Sequence, residues 1–300
     1  MSKTAKWLLG IFGFLFLFFG IIVVMIAILI SDSDTEDVSY GSGGTIALVE
    51  LKEPIISSEN VVRLLKRYRE NINVRAIVFR IESPGGGVAA SQEIYEEVKK
   101  TRKSGKPVVV SMGAVAASGG YYVACGADKI VANPGSITGS IGVISQFMHF
   151  NELLDKIGID ATTIKSGKLK DSGSPFRPMN AEDKKYFQDM IDDVHDQFIS
   201  AVAEERKLKK EVVRKLADGR VFTGRKAYEL HLIDTLGTFE DAIRIAADLG
   251  EIYGTPRIIK ERKKERLSDI LFGEMRNDFE KLKNEILNQP IVQYRYVQPQ

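Results

Sequence analysis

Short apolar runs alternate with segments of helical spacing over most of the chain. The runs have the length of strands and are rich in β-branched residues; they cover residues 45–51, 74–81, 107–112, 129–132 and 140–144. Apolar residues recur at helical spacing over residues 58–71, 88–104 and 181–207. Strands that alternate with helices pair mainly in parallel, so the pattern predicts an α/β domain with a largely parallel sheet.

Residues 7–30 impose a second constraint, because they form a run of 24 positions without a charge. A helix needs about 20 apolar residues to cross a bilayer, whereas the apolar part of a secretory signal has roughly 7–15. We therefore predict an uncleaved transmembrane anchor, with a cleaved signal as the alternative. Lysines precede the run and acids follow it, which predicts that residues 1–6 are cytoplasmic and that the rest lies outside the cytoplasmic membrane.

Composition argues against several other classes of protein. The 300-residue chain has a net charge of +2 with acids and bases interspersed, so it lacks the basic surface typical of nucleic-acid binding. Its single cysteine, Cys125, cannot form an intrachain disulfide. The three histidines have no partners at metal-ligand spacing, so we expect neither a metal nor a cofactor.

The segments that flank the α/β domain differ from it in composition. Residues 31–43 are acidic and rich in serine and glycine, which predicts a flexible linker to a domain over residues 44–250. Residues 251–300 contain a run of charged residues, a predicted amphipathic helix and an extended tail. The helix lies either in solvent or on the membrane surface. The β-branched and aromatic residues within 291–297 suggest a strand that mimics substrate in the groove of its own chain or of a neighbour.

Two loops have the composition of a catalytic site. The glycines of ESPGGG, residues 82–87, can turn backbone N–H groups toward one point, as an oxyanion hole requires. Ser118 follows the next strand, among residues too small to crowd it, and is followed by the N–H of Gly119. Each loop also has a purely structural interpretation, a β–α turn for the glycines and a helix N-cap for Ser118.

A serine nucleophile needs a general base. No histidine lies in a suggestive motif, so lysine is the next choice, provided that desolvation makes its amine neutral. The segment TTIKSGKLKDSGSP, residues 162–175, offers Lys165, Lys168 and Lys170, and spacing alone does not choose among them.

Four motifs occur in order along the domain: ESPGGG at 82–87, AASGGYYVACGADKIVANPGSITGSIGVI at 116–144, IKSGKLKDSGSP at 164–175 and DGRVFTGRKAYELHLIDTLG at 218–237. Together with the apolar run, they resemble the signal peptide peptidase A family of membrane-anchored Ser–Lys peptidases. The resemblance covers about residues 44–250. It implies a ClpP/crotonase-like domain, an α/β spiral of ββα units, behind an N-terminal transmembrane helix.

The resemblance also implies catalytic roles for individual residues. Ser118 matches the family nucleophile, and Lys170 matches the general base. Lys168, two residues earlier, leaves the assignment of the base open. Ser140 matches a serine that orients the lysine amine.

The oxyanion hole and the partners follow from the same resemblance. Gly85 and Gly86 match the oxyanion loop, and Gly119 supplies the second donor. The implied substrates are remnant signal peptides or other apolar peptides, and residues 7–30 are the implied contact with the membrane. The implied assembly is a homo-oligomer, a ring or dome such as an octamer, in which neighbouring subunits share the Ser–Lys dyad.

Two other functions are compatible with the same fold. One is an inactive or regulatory scaffold that binds peptides. The other is a crotonase-like acyl-CoA enzyme, which uses a glycine-made oxyanion hole without a serine nucleophile. Both would have to account for the presence of Ser118 and Lys170 together.

Overall fold

The computed structural model describes residues 3–30, 35–39, 41–261 and 293–296; before residue 41, it describes the side chains of Trp7 and residues 11–23. The helices are α1 Lys3–Ile30, α2 Glu59–Glu70, α3 Val88–Lys103, α4 Gly119–Cys125, α5 Asn151–Lys156, α6 Ala181–Arg206, α7 Lys210–Leu216, α8 Gly224–Glu229 and α9 Phe239–Leu249. The strands are β1 Thr35–Ser39, β2 Thr45–Lys52, β3 Val74–Ser83, β4 Gly85–Gly87, β5 Val108–Ala117, β6 Lys129–Ala132, β7 Ile137–Gly139, β8 Val221–Thr223, β9 Thr235–Leu236, β10 Arg257–Glu261 and β11 Gln293–Arg295.

The chain divides into two compact units, with the main boundary near residue 36. The first unit contains α1, which spans the residues predicted to form the anchor. Within the part of the chain that the structure describes, no helix is long and apolar enough to cross a membrane. The transmembrane anchor therefore stays a prediction.

The second unit is built on a sheet whose main path runs β10-β2-β3-β5-β6-β9, with every neighbouring pair parallel. Strand β7 lies parallel to β5, and β8 pairs with β7 in the antiparallel sense. Strands β4 and β11 form a separate two-stranded sheet. The predicted α/β class with a largely parallel sheet is confirmed.

Both faces of the sheet are buried, which explains why the middle of its central strands carries apolar residues on both faces. In β3, Ile77 and Phe79 enter a core shared with helices α2, α3, α4 and α6. Ala76 and Val78, on the opposite face, pack with the apolar residues of α9. This alternation follows from the two-residue period of a strand.

The predicted helices begin and end within a residue or two of α2, α3 and α6. Helix α6 begins with a capping box between Asn180 and Asp183 and ends at Arg206, and the C-cap residue Lys207 takes the left-handed conformation. The strand predicted over residues 140–144 is wrong: β7 ends at Gly139, because Gly139 and Ser140 have φ of 79° and 51° and leave the β region. The amphipathic helix predicted after residue 266 lies outside the described residues, as does most of the predicted linker.

Candidate active site

Ser118 lies at a sharp turn between strand β5 and helix α4. Its φ of 54° and ψ of −116° are strained for a residue with a side chain, and such strain typically costs about 1–3 kcal/mol. The Ser118 N–H donates to the Gly139 carbonyl at 2.7 Å, and its carbonyl accepts the Tyr122 N–H at 2.8 Å. A tight strand–turn–helix elbow of this kind presents a nucleophile in several hydrolase folds.

The hydroxyl of Ser118 is buried and, among the described residues, has no hydrogen-bond partner. Ser118 occupies the N-cap position of α4, yet its side chain makes no capping hydrogen bond. The structural interpretation of Ser118 as a helix cap therefore does not account for the residue. A buried hydroxyl without a partner costs about 1–3 kcal/mol, so its retention calls for another role.

The glycines that follow Ser118 let α4 lie close to the glycine loop. A Cβ added to Gly119 would lie 2.6 Å from Ser91 Oγ and 3.2 Å from the Gly86 nitrogen. A Cβ on Gly120 would lie 3.0 Å from the Ser83 carbonyl oxygen. The small residues thus serve packing, and that packing brings the N–H of Gly119 next to the glycine loop.

Strand β4 leaves one backbone N–H of the glycine loop open to the site. On one edge of β4, Ile55 accepts from the Gly87 N–H at 2.7 Å and donates to the Gly85 carbonyl at 2.8 Å. Because alternate residues of a strand bond on opposite edges, Gly86 presents its N–H and carbonyl on the other edge. The Gly85 N–H donates to Ser83 Oγ at 3.2 Å, so Gly86 and Gly119 carry the N–H groups that face the site.

The C-terminal strand β11 fills the groove beside this loop. It pairs antiparallel with β4, with Tyr294 opposite Gly86, and the Tyr296 N–H donates to the Pro84 carbonyl at 2.7 Å. On its other edge, Gln293 exchanges two hydrogen bonds of 3.0 and 3.1 Å with Ile144. The tail strand suggested by the sequence is therefore present, in the groove of its own chain.

The carbonyl of Tyr294 points at the predicted oxyanion hole. The register places it opposite the Gly86 N–H, since Tyr296 and Tyr294 bond on the same edge of β11. A Cβ added to Gly85 would lie 2.1 Å from the Tyr294 carbonyl oxygen and 2.5 Å from the Gly119 nitrogen. The Tyr294 carbonyl oxygen and the nitrogen of Gly119, the residue after Ser118, therefore lie on the same side of Gly85.

Ser140 follows β7 as Ser118 follows β5. The two strands are parallel and pair Ala117 with Gly139, and neighbouring strands lie about 4.8 Å apart. Ser140 is buried, and its N–H donates to the Arg220 carbonyl at 2.9 Å. The fold therefore brings Ser118 and Ser140 side by side.

The three candidate lysines lie together on an exposed turn. Lys165 Nζ donates to Asp171 at 2.5 Å, and Lys168 forms an ion pair with Glu182. Within the described part of the chain, the amine of Lys170 has no hydrogen bond or ion pair. Lys165 and Lys168 are thus each paired with a carboxylate, and the described contacts leave the amine of Lys170 unpaired.

A compact ionic network supports the turn that carries Lys170. Arg177 contacts both Asp171, at 2.9 Å, and Asp183, at 2.5 Å, and Ser172 Oγ donates to Asp183 at 2.6 Å. Hydrogen bonds from Arg177 and then Lys165 lower the pKa of Asp171. Hydrogen bonds from Arg177 and then Ser172 lower the pKa of Asp183, so both carboxylates stay charged and hold the turn.

The same part of the chain exposes an unusual number of large apolar side chains. Helix α5 has no buried residue. The exposed fraction lies between 43% and 96% for Met148, Phe150, Leu153, Ile157, Ile159, Ile164 and Phe176, which we call the exposed apolar segment. Exposed apolar surface of this extent is typical of a protein–protein contact.

Several residues that shape this site are not among those predicted from the sequence. Ile144 was expected in a strand of the sheet, but its backbone pairs with the tail. The carbonyl of Pro84, in the glycine loop, accepts from the Tyr296 N–H. The alternating composition of the tail was the available signal for its pairing. Among the residues described, no group of three or more His, Cys, Asp or Glu side chains is arranged to hold a metal ion.

Comparison with known proteins gives matches over this domain. The family model for peptidase family S49 matches residues 100–252, and the Clp protease model matches residues 49–137. A Methanocaldococcus jannaschii protein named as a protease is 42% identical over 199 residues, 66% of this chain and 63% of that protein. A Synechocystis protein with a similar name is 46% identical over 206 residues, 68% of this chain and 74% of that protein.

A third relative carries a more specific name. An Enterococcus faecium protein named as signal peptide peptidase SppA is 39% identical over 185 residues, 62% of this chain and 54% of that protein. The match therefore spans about half to three quarters of these relatives. The resemblance to the signal peptide peptidase A family is confirmed, and the chain belongs to peptidase family S49.

Proposed function

We propose that the chain is a serine endopeptidase in which Ser118 is the nucleophile and Lys170 of a neighbouring copy is the general base. One observation carries the proposal. The Tyr294 carbonyl of the tail pairs with Gly86 and lies on the same side of Gly85 as the Gly119 nitrogen, next to a buried Ser118 hydroxyl that has no partner among the described residues. This is the arrangement that acyl transfer from a peptide requires.

The proposed origin of the base follows from the exposure of Lys170. In a single chain, the Lys170 amine is in solvent and the Ser118 hydroxyl is buried without a hydrogen bond from it. A second copy that packs against the exposed apolar segment would bury its large apolar side chains. The same contact would bring Lys170 of the first copy to Ser118 of the second. Desolvation there would favour the neutral amine, and we propose that Ser140 accepts a hydrogen bond from it. We therefore propose a ring- or dome-shaped homo-oligomer with a shared dyad.

The proposed reaction proceeds in two steps. Lys170 takes the Ser118 hydroxyl proton as the oxygen bonds to the peptide carbonyl carbon, and the oxyanion accepts hydrogen bonds from Gly86 and Gly119. Each such donor is typically worth about 3–4 kcal/mol. The C–N bond then breaks as the lysine proton passes to the leaving amine. Water, deprotonated by Lys170, hydrolyses the acyl-enzyme and restores the serine hydroxyl.

The proposed substrates are signal peptides or other apolar peptides at the outer face of the cytoplasmic membrane. The name of the Enterococcus faecium relative supports this class. The uncharged residues 7–30 would tether the enzyme, with residues 1–6 inside and the catalytic domain outside. An extended substrate would pair with β4 and Ile144 as the tail does.

Hydrolysis of an apolar peptide by four chains tests the proposal: the wild type, Ser118→Ala, Lys170→Ala and Lys168→Ala. We expect Ser118→Ala and Lys170→Ala to lose activity and Lys168→Ala to keep it. Loss in Lys168→Ala with an active Lys170→Ala would move the base to Lys168. Equal activity in all four chains would refute the proposal and favour a peptide-binding scaffold.

A further inference from the structure

The strands of the main sheet all begin at one end of the domain, because they are parallel. Helices α2, α3 and α9 each return to that end before β3, β5 and β10 begin. Three segments meet there, residues 66–75, 100–107 and 248–257, and we call them the basal end. Ser118 and the glycine loop follow the other ends of their strands, so the proposed catalytic site lies at the opposite end of the domain.

Direct contacts join the three segments of the basal end. Lys106 Nζ donates to the carbonyls of Tyr68 and Asn71, at 2.6 Å each. Arg75 Nε donates to the Gly250 carbonyl at 3.2 Å. The groove between the segments has a volume of about 470 Å³ and is lined by residues of all three. The basal end is therefore one continuous surface.

Two highly exposed apolar side chains lie on this surface. Ile72 is 90% exposed and Tyr253 is 88% exposed, and Leu249, beside the groove, is 41% exposed. Ile72 and Tyr253 each lie in a loop that follows a helix. Because tyrosine combines an apolar ring with a polar hydroxyl, it is common at the boundary between lipid headgroups and acyl chains. The pair thus has the composition of a membrane contact.

The basal end is also strongly basic. Its three segments contain nine basic and three acidic residues, a net charge of +6, although the whole chain has only +2. Arg69 is paired with Glu97, outside the three segments. Arg102 is paired likewise with Glu205. The three helix C-termini add about half a negative charge each, so a positive excess remains. The exposed lysines at this end are Lys66, Lys100 and Lys103.

The chain enters the domain at the basal end. The Gly43 N–H donates to the Thr255 carbonyl at 3.0 Å, and a Cβ added to Gly44 would lie 3.0 Å from the side chain of Ile252. The uncharged run that we predict to be the anchor ends at residue 30, 13 positions before Gly43. A segment of that length spans at most about 45 Å. The predicted tether therefore leads directly to the basal end.

We propose that the basal end docks on the membrane surface, with Ile72 and Tyr253 inserted among the lipid headgroups and the exposed lysines bound to anionic lipids. The proposal rests on the proposed function, since residues 7–30 must hold the domain at the membrane. The tether and the positive excess both favour an anionic lipid surface as the occupant. A contact between the basal ends of two copies would oppose like charges, which disfavours a second copy.

Docking at the basal end would fix the height of the proposed catalytic site. Strand β3 has 10 residues, and a strand rises about 3.3 Å per residue, so its two ends lie about 30 Å apart. The glycine loop and Ser118 would stand at up to about that distance from the headgroups. An apolar peptide would therefore have to leave the bilayer to reach the site.

Lipid quenching of a fluorescent label tests the docking. The full chain is reconstituted in vesicles of equal parts phosphatidylcholine and phosphatidylglycerol, whose acyl chains are brominated close to the headgroup. Bimane is attached to the one cysteine introduced by Ile72→Cys, Tyr253→Cys or Ile56→Cys. Ile56 is the matched control, because it is 46% exposed and follows β2 at the opposite end of the domain. The parent chain measures any labelling of the buried Cys125.

We expect the labels at positions 72 and 253 to be quenched at least about twice as strongly as the label at position 56. Thermal unfolding midpoints identify any labelled variant that is not folded. Vesicles of phosphatidylcholine alone should quench positions 72 and 253 less, because they offer no anionic headgroup to the lysines.

Charge reversal tests the role of the lysines. Lys100→Glu combined with Lys103→Glu should lower the quenching at position 253 to roughly half. Lys184→Glu combined with Lys185→Glu makes the same change in net charge and should leave that quenching unchanged. Those two lysines lie about 30 Å along α6 from Glu205, which contacts the last turn of α3.

The outcomes separate this proposal from the proposed function, because quenching is measured without a substrate. Ser118-dependent cleavage by a chain whose labels at positions 72 and 253 are quenched no more than the label at position 56 would overturn the docking alone. Shielded labels at positions 72 and 253 without lipid quenching would overturn it and assign the basal end to a contact between copies. Quenching that charge reversal leaves unchanged would overturn the role of the lysines. A chain that alkaline carbonate removes from the vesicles would overturn both the anchor and the docking.

Discussion

Gly85→Ala should remove activity by obstructing the oxyanion hole. Gly85 has a φ of 96°, and its added Cβ would lie 2.1 Å from the Tyr294 carbonyl oxygen and 2.5 Å from the Gly119 nitrogen. Ordinary van der Waals contact begins near 3.4 Å. A substrate carbonyl in the position of Tyr294 would therefore be displaced from both donors.

Gly105→Ala separates the loss of activity expected for Gly85→Ala from the effect of backbone strain. Gly105 has a similar φ of 83°, but a Cβ there has nothing within 4 Å. Left-handed backbone costs alanine about 1–2 kcal/mol, which should lower the unfolding midpoint of either variant by roughly 2–8 °C for a domain of this size. Loss of one oxyanion donor typically costs about 100- to 1000-fold in kcat, so Gly85→Ala should lose at least that.

The assay compares kcat/KM for a Ser118-dependent peptide with the thermal unfolding midpoint of each chain. Gly105→Ala should show the stability loss with wild-type kinetics. Gly85→Ala should show a larger stability loss, because its Cβ also presses on backbone atoms, together with activity at least about 100-fold lower. A folded Gly85→Ala that retains activity within a few-fold of the wild type would refute the geometry assigned to the oxyanion hole.

Three further predictions follow from the tail, the ionic network and the buried thiol. Deleting residues 289–300 should lower KM for added peptides and leave kcat unchanged, because β11 occupies the groove; an unchanged KM would count against tail competition. Arg177→Gln should open residues 160–180 to proteolysis, whereas Arg244→Gln, in an exposed pair with Asp241, should not. In the wild type, the two carboxylates that face Arg177 have lowered pKa values, so their ion pairs stabilise the turn at any pH above their unfolded pKa of about 3.9. Residues 160–180 should therefore stay protected from proteolysis between pH 7 and about 4 and lose that protection only in stronger acid. Burial raises the pKa of Cys125 to about 12, so iodoacetamide at pH 8 should modify it only as fast as the domain unfolds, and rapid native labelling would contradict that burial.

Sequence patterns predicted the fold best where apolar residues recur with a strong period. Strand β6 matches its predicted bounds, and helix α6 ends at the residue before the predicted limit, because each buries a regular set of side chains. The error at residues 140–144 has a local cause. Gly139 and Ser140 both take positive φ, and a pattern of apolar residues carries no information about that turn.

The proposed catalytic geometry was harder to predict from the sequence, because it depends on contacts between distant parts of the chain. Strand β4 consists of three glycines, and only its pairing with Ile55 and with the tail makes it a strand. Tyr294 lies more than 170 positions after Ser118, so no local motif links them. The proposed choice among the lysines rests on side-chain contacts, since Lys165 and Lys168 bind carboxylates and Lys170 does not within the described residues.

Mixed oligomers of Ser118→Ala and Lys170→Ala test most directly whether a neighbouring copy supplies the base. The two full chains carry different affinity tags, are co-expressed, and are purified through both tags in succession. Each variant alone should be inactive. Randomly mixed oligomers should recover up to about a quarter of the wild-type activity per chain, because one site in four then combines an intact Ser118 with an intact Lys170 from its neighbour. Mixed oligomers that contain both chains and remain as inactive as either variant alone would contradict the shared dyad.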